Sequence, residues 1–120
     1  MGRLILFENA FSGQLPSEIG LLTGLADFQP ARNSLTGPIP SELGLLTSME
    51  ILYLLENAFS GQLPSEIGLL TGLTSFSASR NSLTGPIPSV LGILTSMEIL
   101  HLFENAFTGQ LPSEIGLLTG

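Results

Sequence analysis

Asparagine stands at Asn9, Asn33, Asn57, Asn81 and Asn105, one every 24 residues of a 120-residue chain. Glycine keeps the same step at Gly13, Gly37, Gly61, Gly85 and Gly109. So does proline at Pro16, Pro40, Pro64, Pro88 and Pro112, and a second glycine at Gly20, Gly44, Gly68, Gly92 and Gly116. A unit this short cannot close a hydrophobic core by itself; it becomes stable by stacking its apolar edge on its neighbours. The chain therefore reads as one domain, residues 1–120, made of five 24-residue units in a solenoid. Two unit types alternate, "ENAFSGQLPSEIGLLTG" from Glu8 and Glu56 and "RNSLTGPIPSELGLLTS" from Arg32 with a close copy from Arg80, so the full period is 48.

Apolar residues keep fixed offsets from each asparagine; in the third unit they are Met49, Leu52, Leu54, Phe59, Leu63, Ile67 and Leu70. The stretch "SMEILYLLENAF" taken alone suits a helix as well as a strand. Its counterparts "GLADFQPARNSL" and "GLTSFSASRNSL" carry Pro30 and a run of serines at the same register, and stacked units must share one backbone. Leu52 and Leu54, two apart, then mark the inward side of a short parallel strand that ends at Asn57.

With these columns in place, "LxLxxNxFxGxLPxxIGxLT" and "FxxxxNxLTGxIPxxLGxLT" resemble the leucine-rich repeat in its 24-residue plant-type form, over the whole chain. The resemblance implies an α/β solenoid, a right-handed superhelix or horseshoe with a parallel sheet on the concave face and irregular or 3-10 segments on the convex one. It also implies kinship with ectodomains of receptor-like proteins, and so an extracellular or cell-surface setting. Pro30 and Ala78 depart from the leucine expected three before the asparagine, and the cysteine-bearing caps of secreted members are missing.

Each recurring residue has a structural reading. Asn9, Asn33, Asn57, Asn81 and Asn105 carry an amide that can satisfy backbone groups of their own turn and of the next coil. Glycine four residues on suits a positive φ or a close backbone approach, and serine in "PSEIG" suits a helix cap. Glu18, Glu42 and Glu66 would stack about 5 Å apart as an acidic convex stripe, read as a solvated face and not as a calcium site. The residue before each asparagine alternates, Glu8, Arg32, Glu56, Arg80, Glu104, placing opposite charges on neighbouring coils.

Outward positions on the concave strands are the candidate binding surface. Odd units offer Ile5 and Phe7, then Ile51, Tyr53 and Leu55, then Ile99, His101 and Phe103. Even units offer Asp27, Gln29 and Ala31, then Ser75, Ser77 and Ser79, and the margin holds Arg32 and Arg80. Gathered aromatic and aliphatic side chains point to a protein or peptide ligand, with Tyr53 and Phe103 as anchors. His101, the sole histidine, is read as a surface contact and not a metal ligand.

Other function classes fit less well. No Cys or Lys is present and His101 has no evident Ser and Asp constellation, so no catalytic residue, metal or cofactor is assigned. A net charge of −7 has the wrong sign for a phosphate backbone, which argues against nucleic acid. Prolines and glycines interrupt every charge-free stretch long enough to raise a membrane question. The alternative is a structural or surface-recognition array facing ice or a polysaccharide, for which the column Thr23, Thr47, Thr71, Thr95, Thr119 supplies a single hydroxyl row. The apolar run Leu4–Phe7 is too short for a signal peptide, leaving the compartment open. Neither end has a polar capping unit, so a fragment of a longer protein is expected, with weak end-to-end self-association opposed by Glu104 meeting Glu8.

Overall fold

The computed structural model describes residues 2–113 and 115; Glu114, Gly116 and Thr119, the last members of three columns, lie outside them. Each unit contributes a strand before its asparagine. These strands, β1 (Gly2–Ile5), β3 (Leu25–Gln29), β5 (Ile51–Tyr53), β7 (Ser75–Ser77) and β9 (Ile99–His101), form a parallel sheet in that order. Where the sequence suggested one sheet, there are two. A second strand follows each asparagine: β2 (Ser12–Gln14), β4 (Ser34–Pro38), β6 (Ala58–Gln62), β8 (Ser82–Gly85) and β10 (Ala106–Phe107). The return arc of each coil holds a five-residue 3-10 turn, at Ser17–Leu21, Ser41–Leu45, Ser65–Leu69 and Ser89–Ile93.

The sheets differ in register. On the first, Leu52 lies opposite Phe76, one full unit of 24 away. On the second, Ser60 lies opposite Ser82, a step of only 22, and the same offset joins Ser12 to Ser34 and Thr36 to Ala58. Equivalent residues there are displaced along the strand by two positions as well as across it. With about 3.3 Å per residue and about 4.8 Å between strands, they lie roughly 8 Å apart, against about 4.8 Å on the first sheet. The coils are therefore sheared along the second sheet by two residues per step, while the spacing between strands is the same in both sheets.

The core lies between the sheets and the 3-10 turns. All seven apolar columns of the third unit are buried, and Phe28, Phe59 and Phe76 are fully enclosed. Even units substitute Pro30 and Ala78 for Leu54, and both are buried too, so the column narrows without opening.

Asparagine side chains tie the coils together. Asn57 Nδ2 donates to the carbonyls of Leu54 and Leu55 in its own turn, both at 3.3 Å, and to Pro30 one coil back at 3.1 Å. Its Oδ1 accepts the Leu35 N–H at 3.1 Å. Asn33, Asn81 and Asn105 repeat the pattern. The residue before each asparagine takes a positive φ, from 54° at Glu56 to 59° at Glu8, a region sparsely populated by non-glycine residues. That single left-handed step swings the amide under the last carbonyls of the strand.

Two glycine columns have separate roles. Gly61 has φ +76° within β6, a conformation that disfavours any Cβ. Gly44 sits in a 3-10 turn where an added Cβ would lie 2.8 Å from both the backbone oxygen and the Cβ of Glu66 on the next coil. The convex arcs thus pack glycine against the residue 22 positions on. The acidic stripe is not stacked carboxylate on carboxylate, because the register offset sets Glu42 over Gly20 and Glu66 over Gly44. The serines do not cap these turns. In a 3-10 turn the proline carbonyl already takes the N–H three residues on, as Pro64 does from Ile67 at 3.2 Å, and the serine finds no orphan donor.

Candidate functional site

Strand geometry alternates side chains in and out, so the outward residues of the first sheet stand in parallel rows. The rows have unequal height. Odd strands carry long apolar groups: Ile5, Phe7, Ile99 and Phe103 are exposed, and Ile51, Tyr53 and Leu55 are half-buried. Even strands carry short or tethered groups lying low between them. Ala31, Ser77 and Ser79 are buried, although the pattern had placed them on the open face, because the neighbouring rows overshadow them. Ser77 and Ser79 join their hydroxyls at 3.1 Å. Asp27, also placed on the open face by its position, is only 7 % exposed; Gln29 Nε2 at 2.9 Å and Arg3 Nε at 3.2 Å hold its carboxylate down.

Across the rows runs an open groove of about 350 Å³, lined by Phe7, Glu8, Gln29, Ala31, Arg32, Tyr53, Leu55, Ser77, Ile99 and His101. It draws on all five coils. Of the candidate residues it brings together Phe7, Gln29, Arg32, Tyr53, Leu55, Ile99 and His101, whereas Ile5, Asp27, Ile51, Arg80 and Phe103 do not line it. Phe103 instead lies 5.8 Å from the His101 ring, with the Arg80 guanidinium 5.8 Å above its face. Glu8 lines the groove without having been singled out for it; its place one residue before Asn9, at the end of an outward row, was the available signal.

One margin of the groove is a continuous charge ladder. Arg32 meets Glu8 at 2.8 Å and Glu56 at 3.4 Å, and Arg80 meets Glu56 at 3.0 Å and Glu104 at 3.2 Å. The hydrogen bond that Arg32 donates to Glu8, and then the charge of Glu56, raise the Arg32 pKa above its ordinary value. Both arginines have a carboxylate on each side, which offsets their positive charge along this margin. Gln29 and Ser77 give the groove polar points, Phe7, Tyr53, Leu55 and Ile99 apolar ones, and its edge is a ladder of three glutamates and two arginines. Such a site suits an extended, largely uncharged segment. Among the described residues no group of three His, Asp or Glu is placed to hold a metal, and no helix is long and apolar enough to cross a membrane.

Known proteins agree with this architecture. The family model "Leucine Rich Repeat" matches residues 72–94. No curated protein sequence matches the chain. Among solved structures, one chain of the BIR3–SERK2 complex from Arabidopsis thaliana superposes with a TM-score of 0.89 at 32 % identity, over 93 % of this chain and 60 % of that one. The plant peptide hormone receptor RGFR1 in complex with RGF2 gives 0.70 at 34 % identity, over 97 % and 22 %. A plant ice-binding protein gives 0.88 at 33 % identity, over 98 % and 38 %. The chain thus spans at most 60 % of the length of each of these three. Five in-phase units, a parallel sheet with asparagine ladders and these likenesses give the chain the architecture of a plant-type leucine-rich-repeat solenoid.

Proposed function

We propose that residues 1–120 form a single non-catalytic array whose concave groove binds an extended segment of a protein or peptide partner. The observation that carries this reading is the groove itself, crossing all five coils with apolar side chains along it and its charges internally paired. Five parallel strands span about 19 Å, room for roughly six residues of extended chain. Similarity to a peptide hormone receptor solved with RGF2, and to a chain of the BIR3–SERK2 complex, supports the same class of ligand. Tyr53 stands at the centre of the groove as the anchor, and Phe103, braced by His101 and Arg80, flanks it.

The test is to pan a random peptide display library on the immobilised chain and measure the selected peptides on Tyr53→Ala, on Phe103→Ala and on a convex control, Leu45→Ser. Affinity should fall for Tyr53→Ala by tenfold or more, about 1.4 kcal/mol, less for Phe103→Ala, and not at all for the control. Peptides that bind all three variants as tightly as the parent chain overturn the reading.

A second reading is favoured by one observation, the superposition on a plant ice-binding protein over 98 % of this chain. In it the array recognises an ordered solid surface, and ice-crystal shaping by the purified chain is its direct assay.

A further inference from the structure

We infer, resting on the second reading, that the outer face of the second sheet is a plane for ordered water, and that the convex threonine column is not. The second sheet itself was not foreseen from the sequence, and its outward residues are unlike any other surface of the molecule. The third residue after each asparagine is Ser12, Thr36, Ser60, Thr84 or Thr108, and every one is exposed. The positions two before and two after them, alternately Ala or Ser and Gln or Pro, are exposed as well. In a chain of net charge −7, this face contains no charged side chain.

That composition narrows the ligand. No arginine or lysine is there to meet phosphate, no carboxylate to meet a basic partner, and no aromatic face on which a sugar ring would stack. No large aliphatic group offers an anchor for a protein interface. Small methyls, hydroxyls and amides remain, on a hydrogen-bonded parallel sheet.

Register turns these groups into a raster. Ser12 lies opposite Ser34 and Ser60 opposite Ser82, hydroxyl beside hydroxyl, Gln14 lies opposite Thr36 and Gln62 opposite Thr84, and between these pairs Thr36 meets Ala58 and Pro38 meets Ser60. The repeats are about 4.8 Å across strands and about 6.6 Å along them, and both are fixed by backbone pairing instead of by rotamers. A hydroxyl both donates and accepts, so a rigid sheet on which hydroxyls alternate with methyls and amides can hold water both by hydrogen bonds and by apolar contact. By contrast, Thr23, Thr47, Thr71 and Thr95 form one row beside the exposed Leu21, Leu45, Leu69 and Ile93.

The experiment observes single ice crystals grown in solutions of the full chain. The variants Ser60→Lys and Thr84→Lys, made separately on different strands, are compared with Thr47→Lys and Thr71→Lys on the convex side, each checked by circular dichroism. The parent chain should shape ice, both outer-face variants should lose the effect while keeping the parent spectrum, and the other two should retain it. Loss in Thr47→Lys with retention in the outer-face variants overturns the choice of face but leaves ice recognition standing. A parent chain that leaves crystals as unshaped discs overturns both. If one outer-face variant misfolds, the other decides.

Discussion

Replacing Asn57 by alanine tests the asparagine ladder at a point where every affected bond can be followed. Three carbonyls each lose one of two donors: Leu54 keeps Asn81 Nδ2, Pro30 keeps Asn33 Nδ2, and Leu55 keeps the Arg32 N–H. The Leu35 N–H fares worse, since Asn57 Oδ1 is its partner and Leu35 is buried. An orphaned buried donor costs about 1 to 3 kcal/mol, and the weakened carbonyls add a few tenths each, so the sum is about 2 to 4 kcal/mol. Asn9 provides an internal contrast. It donates only to Leu6 and Phe7 of its own turn, is exposed, and Leu6 is also reached by Asn33, so Asn9→Ala should cost below about 1 kcal/mol. Urea unfolding followed by far-ultraviolet circular dichroism reads the difference, with a 3 kcal/mol loss lowering the midpoint by about 1 M or more at unchanged slope. Asn57→Asp sharpens the test. It keeps the acceptor but aims a carboxylate oxygen at three carbonyls, which raises the folded-state pKa above the unfolded value of about 3.9. Its penalty is therefore full above the folded pKa and fades as pH falls below it, so Asp is worse than Ala at neutral pH and recovers in acid. Equal losses for Asn9→Ala and Asn57→Ala, or a loss at Asn57 within about 0.5 kcal/mol, would refute the coil-spanning role.

Three further outcomes follow from the packing. Gly44→Ala should destabilise by about 1 to 3 kcal/mol in the same assay, since its Cβ meets backbone of the next coil that has no free direction to yield. Phe59→Ala, at a fully enclosed position, should cost about 3 to 5 kcal/mol, the upper end applying if the stacked coils hold the cavity open. Arg80→Gln removes two exposed ion pairs and should cost under about 1 kcal/mol at low salt; the gap from the parent chain should close as salt is added, read by thermal melts across ionic strength.

The solenoid and its buried columns were readable because a repeated unit writes each core position five times, so Phe59 or Leu70 never has to be judged alone. The second sheet was not readable. "SLTGPIP" places glycine and proline inside what becomes β4, and both residues speak for a turn when taken locally. Only the pairing of one coil with another makes a strand of it, at an offset of 22 that no column of identical letters reveals. The groove was half readable. Alternation assigned outward faces to Tyr53, His101 and Ser77 alike, but burial depends on the height of neighbouring rows, and a serine between tyrosine and histidine rows sinks beneath them. Asp27 escaped for a related reason, its tether Arg3 being a full unit away in the chain.

The alternation along the charged margin also guards folding against a hazard peculiar to near-identical segments. A growing stack that skipped one 24-residue segment would satisfy the hydrophobic columns almost as well as the correct neighbour does, yet it would set Glu8 against Glu56 or Arg32 against Arg80. Skipping two segments would restore the attraction, but only by leaving a loop of 48 residues outside the stack. A chain spelled with two words instead of one thus gains a small electrostatic bias toward the correct neighbour, no larger than exposed ion pairs supply.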